Sequence, residues 1–204
     1  MDDRPLSALL LAPQQVEALR QLATLGGNDA ARSLGRLLGT TVEAAQPRAH
    51  VATKGGISKV LQPDGNAFAV HFTVEGGARL RWLLYVTKEG ATLMGGLLLG
   101  RPVTEPVEKA SVIYTSALAE AANIIVSSYV GGVGAGAGMT LVPSVPHVTV
   151  GPLEDAFQAA FGDLDSSLLL ATDLRLPGVR FAGRIIAAPE EESLRRLLAG
   201  VGVR

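Results

Sequence analysis

The chain has 204 residues, with 18 basic and 19 acidic side chains, a net charge of -1 and no cysteine. That length can bury the core of a single domain without a covalent staple. The missing cysteines exclude disulfides, thiolate metal sites and thiol nucleophiles and fit a cytoplasmic protein, while the balanced charge argues against nucleic acid or an anionic membrane as partner.

The opening residues Met1-Asp2-Asp3-Arg4-Pro5 and the short apolar stretch from Ala8 to Ala12 do not make a secretory signal, so no export is expected. Apolar spacing at the helical period predicts a helix over about Gln14 to Leu38, closed by glycine. Pro47 then introduces an extended segment that ends near Val51. Ala67 to Val74 and Leu80 to Val86 predict a hairpin about the turn Glu75-Gly76-Gly77-Ala78, and a helix follows over about Ala91 to Leu99. The second half runs through the same series. A helix is predicted over Val107 to Val130, and a glycine-rich run from Gly131 to Gly138 follows it. Pro146 opens an extended segment ending near Val150, and strands Ser167 to Leu176 and Val179 to Ala187 flank Pro177-Gly178. The last helix, Glu190 to Leu198, is opened by Pro189 and three glutamates, which suit a helix N-terminus.

Between Lys109 and Glu154 the only charged residue is Glu120. A membrane span is nevertheless not expected, because Glu120, Asn123 and the glycines interrupt the run and neither flank carries an aromatic belt or a basic cluster. The glycine run fits neither a dinucleotide fingerprint nor a phosphate loop, since it follows a helix rather than a strand. Close approach of two helix backbones explains it better.

Sliding the chain against itself matches residues 18–51 with 117–150 without a gap, at an offset of 99. Eight positions are identical: Ala18 with Ala117, Leu19 with Leu118, Ala23 with Ala122, Gly35 with Gly134, Gly39 with Gly138, Thr41 with Thr140, Pro47 with Pro146 and Val51 with Val150. Chance at roughly 7% per common residue type would give two or three. The expectation is one domain over 1–204 holding internal repeats of about 14–100 and 107–200. Its fold class is α/β of the α+β type, with a pseudo-two-fold repeat, a mixed or antiparallel sheet of about six strands, and two long helices on one face.

Glu120 needs an explanation, because a carboxylate among apolar residues is costly to bury unpaired. It precedes Asn123 by three residues and follows Ser116 by one helical turn, so the three make one polar stripe. The plain alternative is the solvated edge of an amphipathic helix. Against it, the offset places Gln21 opposite Glu120 and Thr24 opposite Asn123, so the scaffold repeats while the polar pair does not. Other chemistry finds little support. His50, His71 and His147 lack metal-ligand spacing, no serine lies in a nucleophile elbow, and Asp163 with Asp165 lacks the rest of a calcium loop.

On these residues the chain resembles the CheC, CheX and FliY phosphatases of bacterial and archaeal chemotaxis, and CheC most of all. The family motif is Asp or Ser, three residues, Glu, two residues, Asn, twenty-two residues, Pro; Ser116, Glu120, Asn123 and Pro146 stand at those spacings. The first half reads Glu17, Gln21, Thr24 and Pro47, a degenerate pseudo-site that departs at both chemical positions. Its stretch Leu25 to Ala31 looks like the glycine-rich break of the first CheC helix. The resemblance implies removal of the aspartyl phosphate from a CheY-like response regulator, with Glu120 and Asn123 catalytic and Ser116 and Pro146 supporting them. Asn123 would position the attacking water and Glu120 would dock the partner. No cofactor is implied in this chain, and Mg2+ is expected on the regulator. A CheD-like deamidase is a further possible partner; nucleic acid and membrane insertion are not expected. The alternative is a non-catalytic or weakly catalytic adaptor or flagellar switch module. A switch component is expected to lack both Glu and Asn and to carry a further C-terminal domain for which this chain is short.

Overall fold

The computed structural model describes residues 11–53, 65–164 and 166–203, without the side chains at 53, 166 and 179–181. The segment before Leu11, part of the first repeat, and Asp165 lie outside the described residues. Helix α1, Pro13–Leu38, starts at a proline that needs no N–H in the first turn, and Gln15 Oε1 accepts from the Ala12 N–H at 2.9 Å. It ends at Gly39, whose φ of 66° lets its N–H return to the Gly35 carbonyl. The chain continues through β1 (Glu43–Ala44), β2 (Arg48–Thr53), β3 (Asn66–Gly76) and β4 (Leu80–Val86) to α2 (Lys88–Leu99). Thr87 caps α2 by accepting from the Gly90 N–H at 3.1 Å.

A short 3-10 turn at Val107–Lys109 leads to α3, Val112–Gly136. The second half then has β5 (Leu141–Pro143), β6 (His147–Pro152), α4 (Leu153–Phe161), β7 (Ser166–Leu176), β8 (Val179–Pro189) and α5 (Glu191–Gly200). Helices α1 and α3 begin 99 residues apart, at Pro13 and Val112, and so do β2 and β6, at Arg48 and His147.

Every strand pair is antiparallel. Strands β7, β8, β4 and β3 lie side by side in that order; β1 and β2 share the edge beside β7, and β5 and β6 the edge beside β3. The sheet thus has six positions, as expected. Alternation along the strands gives it two apolar faces. Phe68, Val70, Trp82, Leu84, Leu170 and Ile185 pack under α1 and α3. Leu83, Tyr85, Leu169 and Ile186 face the other way and are covered by Leu153, Phe157 and Phe161 of α4.

Expectations for the long helices need correction: α3 does not end at Val130 but continues through the glycines to Gly136, and no break interrupts α1 at Gly26-Gly27. Both arise from one contact. A Cβ on Gly26 would stand 2.7 Å from the Tyr129 carbonyl oxygen, and one on Gly132 would stand 3.0 Å from the Gly26 Cα. The helices cross so closely that burial outweighs the poor helix propensity of glycine. The second helix also starts later than expected, at Val112, because the Ser111 hydroxyl caps it by accepting from the Tyr114 N–H at 3.3 Å.

The turn before α3 is held by Glu108, whose Oε1 lies 2.9 Å from Lys88 Nζ and 3.0 Å from Asn66 Nδ2. The Lys88 hydrogen bond, then one from the backbone of Glu108 and one from Asn66, holds this carboxyl down to about 2 from an ordinary 4.5. The unfolded chain therefore binds more protons between those values; the stabilisation is complete above 4.5 and is lost as pH falls to about 2. Glu108→Gln is expected to flatten this acid limb. Urea midpoints at about pH 5 and about pH 2.5 should differ less in the variant than in the parent.

Candidate functional site

Helix α3 buries Leu118, Ala121, Ala122, Ile125, Val126 and Tyr129 against the sheet and α1. Ser116, Glu120, Asn123 and Ser127 occupy the opposite face and are exposed. The stripe is thus carried on a helix whose remaining surface is fixed in the core, which holds its side chains on a rigid base. Among the described residues neither Glu120 nor Asn123 makes a side-chain hydrogen bond or ion pair. Both are open to an incoming molecule. Apolar residues stand out at the start of the same helix, Val112 at 83% and Ile113 at 71% exposure.

Pro146 is exposed at the entry to β6, beside Val145 at 80% exposure. The preceding residue Ser144 is pinned to β3: its N–H donates to the Thr73 carbonyl at 2.8 Å and its hydroxyl accepts from the Thr73 N–H at 3.2 Å. The loop carrying Pro146 is therefore tied to the sheet.

The corresponding residues of α1 are arranged differently. Glu17 and Gln21 are exposed, whereas the Thr24 hydroxyl turns back to the Arg20 carbonyl at 2.8 Å and Pro47 is buried. Arg20, which the motif did not single out, donates from Nε to the Pro47 carbonyl at 2.9 Å and from a terminal nitrogen to Glu17 at 3.0 Å. The sequence signal for it was an arginine facing Ala119 at the offset of 99.

The histidines lie on strands β2, β3 and β6. His71 and His147 are paired across β3 and β6 with their rings stacked 5.2 Å apart, and burial and then the His147 charge push the His71 imidazole below its ordinary value. His50 is lowered by burial and by Arg48 and Arg184. Asp163 makes a two-toothed ion pair with Arg81 at 2.7 and 2.8 Å. Among the described residues no three His, Cys, Asp or Glu side chains gather as a metal site, and no helix is long and apolar enough to cross a membrane.

Neither the family models nor the curated proteins give a match to this chain. Solved structures do. Thermotoga maritima FliY superposes with a TM-score of 0.77 at 16% identity, covering 95% of this chain and 98% of that one. FliM in a FliG–FliM complex from H. pylori gives 0.66 at 15% identity, over 93% and 100%. CheX in a CheX–CheY–BeF3–Mg2+ complex from Borrelia burgdorferi gives 0.58 at 18% identity, over 81% and 96%. From its sheet order, its paired long helices and these likenesses, the chain has the fold of the CheC, CheX and FliY proteins, which FliM shares.

Proposed function

We propose that this chain hydrolyses the aspartyl phosphate of a CheY-like response regulator, with Glu120 and Asn123 as the working pair. The observation that carries the reading is the pair itself: a carboxylate and an amide, exposed on one face of a core-anchored helix and without partners among the described residues. Hydrolysis of an acyl phosphate asks little covalent help of a protein. Water oxygen bonds to phosphorus, the bond from phosphorus to the aspartyl oxygen breaks with its electrons leaving on the carboxylate, and a proton is released to solvent. Orienting that water is then the main contribution a partner can make. The Asn123 amide has an acceptor for a water hydrogen and donors for a phosphoryl oxygen. Glu120 would hold a lysine of the regulator by a charge-assisted hydrogen bond and so set the helix at the phosphorylation site. Mg2+ would belong to the regulator.

Loss of phosphate from the phosphorylated regulator, followed with and without this protein, tests the proposal. No acceleration at saturating protein would defeat it. Glu120→Ala is expected to weaken binding of a beryllofluoride-activated regulator about tenfold or more, whereas Gln21→Ala leaves it unchanged. Fluorescence titration reads both. A second reading, a switch or adaptor module that binds without catalysis, draws on the likeness to FliM, which occurs with FliG in its solved complex. Binding of the regulator without faster hydrolysis would favour it, and binding of a CheD-like protein would extend it.

A further inference from the structure

His71 and His147 are far apart in the sequence, yet the pairing of β3 with β6 sets them directly opposite one another, with ring centres 5.2 Å apart. Val70 and Phe72 on either side of His71 pack under the long helices, and Ala69 belongs to the layer beneath α4. Both imidazoles therefore look out on the α4 side of the sheet, because residues directly opposite in an antiparallel pair share a face. Among the described residues β6 pairs with β3 alone, so the two rings lie at the edge of the sheet. His147 is exposed and His71 half-buried.

The strand pairing itself does not call for imidazoles. Strands β3 and β7 begin 100 residues apart, at Asn66 and Ser166, and β2 and β6 begin 99 apart, at Arg48 and His147. The counterpart of the histidine pair on the opposite edge of the sheet is thus Ala171 facing Arg48. An alanine and an arginine serve the same scaffold there, so the two rings answer to something other than the fold.

A neutral imidazole offers a ring nitrogen to a metal and is a favoured ligand of Zn2+, Cu2+ and Ni2+. Two imidazoles on one tetrahedral ion, at about 2.0–2.1 Å from each nitrogen, have ring centres roughly 5 Å apart. The pair already has that spacing. Turning the exposed His147 ring about its own side-chain bonds aims a nitrogen of each ring at one ion, a fast motion for an exposed side chain. Charge does not oppose a cation here. Arg81, on β4 opposite Thr73 and two residues along from the position facing His71, has its guanidinium held by both carboxylate oxygens of Asp163 at 2.7 and 2.8 Å.

We propose that His71 and His147 are the two protein ligands of a site for a divalent transition-metal ion of the Zn2+ class, with water in its remaining positions. The site stands independently of the phosphatase reading. It joins β6 to β3 immediately after Pro146, where Ser144 already ties the preceding loop to Thr73, so a bound ion is a second fastening of that loop.

Calorimetric titration with Zn2+ of the chain carrying no added histidines, at about pH 7.5, tests the site. The parent is expected to bind a single ion. His71→Phe and His147→Phe each keep a ring in the pair but remove its nitrogens. Either should weaken binding at least about tenfold, since losing merely the group that supports a ligand costs roughly 10–100-fold. His50→Ala, on the other edge strand, should leave binding unchanged. Zn2+ at about a hundredfold excess over its dissociation constant should raise the thermal midpoint by about 5 °C in the parent and in neither phenylalanine variant. Mg2+, which prefers oxygen ligands, should do neither. A parent that binds no Zn2+, or binding that survives either phenylalanine substitution, would overturn the proposal. If His71→Phe does not fold, His147→Phe at the exposed position decides alone.

Discussion

Asn123→Ala is expected to slow regulator dephosphorylation by about 100-fold while leaving regulator affinity within about twofold, because in the proposed reaction the amide would serve the reacting atoms rather than docking. Removal of a single well-aimed donor or acceptor from a reacting oxygen has effects of that order. The aspartate variant separates orientation from mere polarity. Asn123→Asp keeps the size and one acceptor, loses both donors and brings a negative charge towards the phosphoryl oxygens, so it should be no faster than alanine. Single-turnover loss of phosphate at saturating protein measures the step directly. A rate within about twofold of the parent in Asn123→Ala would remove Asn123 from the mechanism and the hydrolase reading with it.

Gly26→Leu is expected to destabilise the fold by about 3 kcal/mol or more, lowering the thermal midpoint by about 10 °C. The first atom of the new side chain would already lie 2.7 Å from the Tyr129 carbonyl oxygen and 2.9 Å from Val133 Cγ2. Backbone cannot swing aside as a side chain can, so α1 and α3 must separate. Gly131, on the facing helix α3, provides the contrast. It is exposed, and a Cβ there meets nothing within 4 Å. Gly131→Ala should therefore stabilise the protein by about 0.5–1 kcal/mol through helix propensity alone. Chemical denaturation of the two variants tests the assignment of close packing to one glycine and not to the other. A neutral Gly26→Leu would mean that the crossing is looser than drawn.

The strand pattern was the most legible part of the sequence. Leu80 to Val86 coincides with β4, and the glycine-containing turn and the Pro177-Gly178 turn lie where the hairpins close. Local chemistry decides those features, so a local reading finds them. The long second helix was misjudged at both ends for opposite reasons. Its start depends on Ser111 acting as a cap, a local signal that the apolar run from Val107 concealed, and its end depends on Gly132 meeting Gly26, which no local propensity reports. Helix α4 was missed although its pattern was available. Leu153, Ala156, Phe157, Ala160 and Phe161 recur at helical spacing around Glu154 and Asp155, a pattern without a counterpart in the sequence of the first half.

Legibility of the candidate site divides similarly. Spacing alone put Ser116, Glu120 and Asn123 on one face, and in the folded chain all three are exposed there. Pro146 is farther along the chain, and its place at the entry to β6 is set by the pairing of β5 and β6 with β3, a tertiary arrangement. Arg20 was invisible to the motif for the same reason. Its bond to Pro47 spans 27 residues and exists only because the loop before β2 folds under α1.

That Glu120 is the only charged side chain between Lys109 and Glu154 has a kinetic meaning for any encounter made through that segment. Such a surface projects almost no field beyond a Debye length, so it cannot draw a partner in from a distance. Collisions must find the right orientation unaided, at the ordinary 10⁵–10⁶ M⁻¹s⁻¹ of unsteered association, roughly speaking. Discrimination among similar partners then falls to how long each stays rather than how fast it arrives.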